Sequence, residues 1–124
     1  MAFELFNRKR THGGPPAVSI TRFGMFVINS AAIEKYFRNH KYATIYWDKE
    51  GSRVGIKPLT KKEEKAYSIH FSPKGNVGSL SATAFLKYIG FENKETESFS
   101  ATWSERDGLL EFKVERKRFP RLKE

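Results

Sequence analysis

Eleven cations are placed where they could hold phosphate. Arg8, Lys9 and Arg10 are consecutive near the start, and Arg116, Lys117, Arg118 and Arg121 cluster at the end. Between them Arg22, Lys35, Arg38 and Lys41 fall within twenty residues of one another. Ammonium and guanidinium groups donate to phosphate oxygens and release counterions from a polyanion, so such contacts give affinity that falls with salt. They position a chain without reading sequence. Arg22 is the candidate for a base edge, because it sits beside Gly24, where the chain is expected to turn.

Other chemistries find little support. His12, His40 and His70 are scattered over an arm, a helix end and a strand, and no His/Asp/Glu group has metal-ligand spacing. Gly13 and Gly14 precede prolines rather than the Lys-Ser/Thr and helix of a phosphate loop. Asp48 and Asp107 belong to turns, where Asp is favoured for local hydrogen bonding rather than for buried acid–base work. Without cysteine there is no disulfide, thiolate metal site or cysteine nucleophile. A non-enzymatic protein with no metal and no cofactor is expected. The residues Met1–Arg8 lack the order of a signal peptide, and no apolar run approaches bilayer length, so a cytoplasmic protein is expected.

The net charge of +9 is unevenly distributed. Residues 1–60 hold ten Lys/Arg against four Asp/Glu, residues 61–114 hold eight against eight, and residues 115–124 hold five against two. The excess therefore lies in the N-terminal arm, the first half and the tail. That asymmetry points to an anionic partner, nucleic acid first.

The elements that must carry these cations are written twice. Ala32, Lys35 and Tyr36 recur as Ala84, Lys87 and Tyr88 without a gap. Ser19-Ile20 precedes the first helix and Ser68-Ile69 the second. Ala43–Trp47 matches Phe99–Trp103, and Val54 and Ile56 align with Leu110 and Phe112. Each half reads strand, turn, strand, helix, hairpin. Asn29 and Ser81 are the expected helix N-caps. The first helix is expected to bury Ala32, Ile33, Tyr36 and Phe37, and the second Ala84, Phe85, Tyr88 and Ile89, on one 3.6-residue face. Gly90 is a natural helix stop. The halves are then a basic arm over 1–17, a first repeat over 18–60, a charged linker over 61–66, a second repeat over 67–114 and a basic tail over 115–124. Residues 18–114 are expected to form one domain with a shared core, because neither half buries its apolar face alone. The fold class is α+β: a mostly antiparallel β, cradle-like barrel with two short helices.

The stretch Val18–Asn29, followed by a short helix and the Tyr42–Leu59 hairpin, resembles the AbrB-type swapped-hairpin module. The duplication is similar to MraZ-like proteins, which carry two such modules. The resemblance implies a cradle-like barrel and DNA binding in transcription regulation. Gly24 stands at the family's glycine. Met25, Asn29 and Ile33 stand where the family has arginine, proline and arginine, so none of its DNA-contacting arginines carries over to a matching residue. The Ser81–Gly90 stretch also resembles one in uncharacterised bacterial proteins, which implies no function.

The expected function is thus nucleic-acid binding, by an AbrB-like DNA-binding regulator, with a homodimer as a further partner state and neither membrane nor small-molecule substrate. The alternative is a protein-interaction or structural module. Phe23, Tyr46 and Tyr67 are expected on the outer faces of their strands, where aromatics stack unpaired bases or cover a second copy.

Overall fold

The computed structural model describes residues 15–92 and 94–114. The alternation of apolar side chains builds short strands, each with one face turned inward. Val18 and Ile20, Phe26 and Ile28, Val54 and Ile56, and Leu110 and Phe112 are all buried. In chain order the strands are β1 (Ala17–Ile20), β2 (Met25–Ile28), β3 (Tyr42–Asp48) and β4 (Arg53–Leu59). The second half adds β5 (Tyr67–Ser68), β6 (His70–Phe71), β7 (Gly78–Ser81), β8 (Glu97–Ser104) and β9 (Leu109–Lys113). Among the described residues they form one sheet in the order β5-β3-β4-β9-β8-β1-β2-β7-β6, with every pairing antiparallel. The terminal strands β5 and β6 flank a single residue, Ile69, so the sheet curls until its two ends meet on one piece of chain. The result is an α+β, mostly antiparallel barrel that is nearly closed and leaves little free sheet edge.

The strand order is unchanged when the two halves are exchanged. Calling β1 the mate of β5–β6, β2 of β7, β3 of β8 and β4 of β9, the exchange returns the same circular order. The registers agree with this. At β4–β9, Val54 faces Phe112 and Ile56 faces Leu110, and these are the residues that the sequence alignment makes equivalent. At β2–β7, Phe26 faces Leu80 and Ile28 faces Gly78, again a symmetric pair of pairs. Ser19 faces Ser98 as Ser68 faces Tyr42, and Trp47 faces Val54 as Trp103 faces Leu110. The two halves interleave, and their strands alternate in pairs around one core.

The core is aromatic at its centre. Phe26 meets Phe85 and Phe112 edge-on, with ring centroids 6.1 and 5.6 Å away. Each helical segment covers strands of the other half. Phe85 approaches Trp47 edge-on at 6.0 Å, and Tyr36 stacks on Trp103 at 4.4 Å with the ring planes 4° apart.

The helices depart from the expected pattern. The first is one α-helical turn, α1 (Ser30–Ala32), which runs into a π-helical turn over Ile33–Phe37. Asn29 caps it as expected. Its Oδ1 accepts from the Ala32 and Ala17 amides at 3.1 and 3.0 Å, and its Nδ2 donates to the Pro15 carbonyl at 3.0 Å, so one side chain ties the helix start to β1. The second helix, α2 (Thr83–Ile89), starts after Ala82 with no side-chain cap, so Ser81 is not its N-cap; Ser81 is the last residue of β7. Its inward face is Phe85, Leu86 and Ile89. Ala84 is exposed and Tyr88 is 81% exposed, contrary to the expected face. Tyr36 and Tyr88, equivalent in sequence, therefore have different surroundings. Here the barrel supplies Trp103 to Tyr36, while Phe85 rather than Tyr88 takes the matching place against Trp47.

Among the described residues, no helix is long and apolar enough to cross a membrane, and no group of three or more His/Cys/Asp/Glu could hold a metal.

Candidate nucleic-acid interface

The β1–β2 and β6–β7 hairpins end in related turns. In the first, the Thr21 hydroxyl accepts from the Phe23 and Met25 amides, and the Thr21 amide donates to the Met25 carbonyl at 2.9 Å. In the second, the Ser72 hydroxyl accepts from the Val77 amide and the Ser72 amide donates to the Val77 carbonyl at 2.8 Å. Gly24 and Gly75 both take positive φ, which a Cβ would oppose. The second hairpin is longer by two residues in the strand that bends at Ile69 and by one residue in the turn.

That difference in length produces different surroundings for the two turns. The first turn closes down on α2: a Cβ added to Gly24 would lie 2.7 Å from Thr83 Oγ1, and the Gly24 carbonyl accepts from the Ala82 amide at 2.8 Å. The second turn stands away from the first helical segment and leaves a cleft of about 460 Å³. Its apolar lining includes Ile33, Phe37 and Phe71. Arg38, Lys41 and Lys74 supply its cations and Glu34 its carboxylate. Phe71 is 37% exposed, so part of its ring is open to solvent.

Local geometry holds the basic side of the cleft. The π turn ends at Arg38 in extended backbone, and Asn39 takes φ 64° so that the His40 amide can donate to the Phe37 carbonyl at 3.0 Å. Asn tolerates that left-handed conformation better than most residues. His40 Nδ1 lies 2.7 Å from the Arg38 carbonyl oxygen, which can only accept, so Nδ1 donates. Arg38 and Lys41 are brought onto one rim by this chain reversal.

The structure thus gathers Arg38 and Lys41 but not all the cations expected from sequence. Lys35 is exposed on the same helical segment and does not line the cleft. Arg22 is exposed in the first turn, its guanidinium 4.8 Å from the centroid of the Phe23 ring. The two turns lie toward opposite ends of the β2–β7 ladder, since Met25 pairs with Ser81 and Ile28 with Gly78. Arg8, Lys9, Arg10, Arg116, Lys117, Arg118 and Arg121 lie outside the described residues. Lys74 is the cation that sequence reading missed, because residues 61–114 are neutral as a block. The signal was present in the turn alignment, which pairs Phe23-Gly24 with Lys74-Gly75.

Phe23 is 73% exposed, Tyr46 is exposed, and Tyr67 is half-buried against the core. At the far hairpin Asp48 Oδ1 accepts from the Gly51 amide at 3.2 Å and Oδ2 from Arg53 at 3.1 Å, while Arg53 also reaches Glu111 at 3.5 Å. The Gly51 amide first, and Arg53 second, hold the Asp48 carboxyl below the usual carboxylate range. This group braces β3, β4 and β9.

Comparison with protein-family models, with curated proteins and with solved structures gave no match to this chain.

Proposed function

We propose that this chain is a cytoplasmic, non-enzymatic nucleic-acid-binding protein, a DNA-binding regulator of AbrB-like architecture. The observation that carries the reading is the convergence of Arg38, Lys41 and Lys74 on one cleft from both halves of the barrel, in a chain of net charge +9. The interleaved, twofold strand order supports the architectural comparison, since a swapped hairpin from each half is what that module requires. The basic arm and tail extend the same electrostatic attraction, and Arg22, exposed in the first turn, is the candidate for a base edge.

A mobility-shift titration against duplex DNA, single-stranded DNA and RNA at two salt concentrations tests it. Affinity should fall steeply with salt, by about 0.9 in log–log slope per phosphate contact on duplex. Replacing Arg8, Lys9 and Arg10 with alanine should flatten the slope by about 3 if all three contact phosphate. Replacing Arg38, Lys41 and Lys74 together should flatten it as well, by about 0.7–0.9 for each phosphate they hold. No binding to any of the three nucleic acids would reject the reading, and an unchanged slope would reject the corresponding group of cations.

A protein-interaction module is the second reading, favoured by Phe23 and Tyr88, 73% and 81% exposed. Large exposed aromatics are the usual anchors of protein contacts. Sedimentation of the chain alone, with and without Tyr88→Ala, distinguishes self-association from a monomer.

A further inference from the structure

We propose that the cleft between the π turn and the second hairpin receives one unpaired nucleotide of a nucleic-acid strand, with its base against Phe71 and its phosphate among Arg38, Lys41 and Lys74. This rests on the nucleic-acid reading above and assigns a subsite within it.

The size fits first. At about 460 Å³ the cleft lies within the roughly 300–1,000 Å³ range of small-ligand pockets. Its chemistry is split as a nucleotide is split. The partly open Phe71 ring offers an aromatic face, backed by the buried Ile33 and Phe37, and three cations against one carboxylate leave the rim positive. An acidic peptide would satisfy the rim and leave the aromatic wall without a matching group. A nucleotide satisfies both, because every base has a π face for an aromatic ring and a phosphate attached to it. Glu34 adds a carboxylate acceptor suited to amino groups on a base edge.

The nucleotide must be unpaired. A base inside a duplex has both faces covered by its neighbours, whereas an unpaired base can be splayed out onto a protein ring. A flat docking of duplex would use the rim cations and leave Phe71 idle.

Among the described residues the cleft breaks the twofold pattern of the strands. On one side Phe26 meets Phe85; at the equivalent contact Gly78 lets Ile33 Cδ1 and Ile69 Cγ2 come within 2.9 Å of where a Cβ would stand, so that space is filled and the opening lies farther out, between the helical segment and the turn. On that same side the longer hairpin supplies Phe71 and Lys74. On the other side Gly24 is pressed against Thr83. The asymmetry falls where the two copies have diverged, as expected when only one of two related positions holds a ligand.

Fluorescence anisotropy with a labelled eight-nucleotide single strand, DNA and RNA, and with a duplex of the same sequence, tests the subsite on the full chain. The probes are paired with Phe71→Ala, Phe71→Leu and Lys74→Ala, each checked for native circular dichroism. Phe71→Leu keeps the apolar wall and removes the π face. Both Phe71 variants should lose about 5- to 100-fold in single-strand affinity, the range of one base–aromatic stack, with duplex affinity unchanged. Lys74→Ala should reduce the single-strand salt slope by up to about 0.7, the share of the one phosphate it holds with Arg38 and Lys41. Single-strand binding unchanged in folded Phe71→Ala and Phe71→Leu would overturn the subsite while leaving the broader reading intact, as would single strand bound no better than duplex. Competition by a free nucleoside monophosphate as strong as that by the strand would overturn the assignment to a strand. Binding to none of the probes would remove both proposals together.

Discussion

Gly24 joins the two halves of the barrel, and replacing it with alanine isolates that joint. Its φ of +85° lies in the region where a Cβ crowds its own backbone, at a cost of about 1–2 kcal/mol. The added Cβ would also sit 2.7 Å from Thr83 Oγ1 and 3.3 Å from Thr83 Cα, at the start of α2. Thr83 Cα is backbone, held by the Ala82 amide bonded to the Gly24 carbonyl, so it yields poorly. Overpacking of this kind costs about 1–3 kcal/mol. Relaxation is shared between the two strains, so Gly24→Ala should lose about 2–4 kcal/mol, with a fall in Tm on the order of 10 °C. Thr83→Ala alone is a surface change and should stay within about 0.5 kcal/mol of the parent. In combination it relieves the clash with the hydroxyl, but neither the crowding of the Thr83 main chain nor the φ strain. The double variant should therefore recover about 1 kcal/mol relative to the sum of the singles. Urea unfolding of the four proteins at one ionic strength measures the cycle. Gly24→Ala within about 0.5 kcal/mol of the parent, or a strictly additive double variant, would refute the reasoning that this turn is pressed against the other half.

Phe26→Ala should cost about 3–5 kcal/mol, as a large cavity between Phe85 and Phe112; denaturant midpoints would contradict this packing if the loss were under about 1 kcal/mol. Tyr36→Ala should destabilise by at least about 0.5–1.5 kcal/mol for the lost stack alone and shift tryptophan emission to the red, while Tyr88→Ala should do neither; equal effects at the two positions would refute their different surroundings. Asp48→Asn should be less stable than the parent at neutral pH. The carboxyl's folded-state pKa is depressed, so its contribution is present above the unfolded value, shrinks as pH falls through the folded value and is lost below it. Melting curves from pH 7 to pH 2 check this, and a stability difference that stays constant down to pH 2 would contradict it.

Much of the barrel was legible in the order of residues. The alternation in Val18–Ile20, Met25–Ile28 and Tyr42–Trp47 marks strands because a half-buried strand repeats every two residues. The recurrence of Ala-x-x-Lys-Tyr, with the two Ser-Ile and two Trp-ending strands, set the alignment that the β2–β7 and β4–β9 registers follow. The candidate site was harder to read. Arg38 and Lys41 were found from their charge, but Lys74 was hidden in an electrically neutral block, and only the alignment of its turn with Phe23-Gly24 marks it. Tyr88 was misplaced because seven helical residues allow more than one inward face, and the sheet beneath selects it.

Local sequence, then, determined the strands, the turn glycines, the Asn29 cap and the doubling of the unit, since each depends on the backbone preference or side-chain period of neighbouring residues. The tertiary structure alone decided how the copies interleave, which face of α2 turns inward, and that the longer of two related hairpins stands beside a basic cleft. Those outcomes depend on which distant surfaces meet, and the cleft between Arg38, Lys41, Phe71 and Lys74 is a property of that meeting rather than of any one segment.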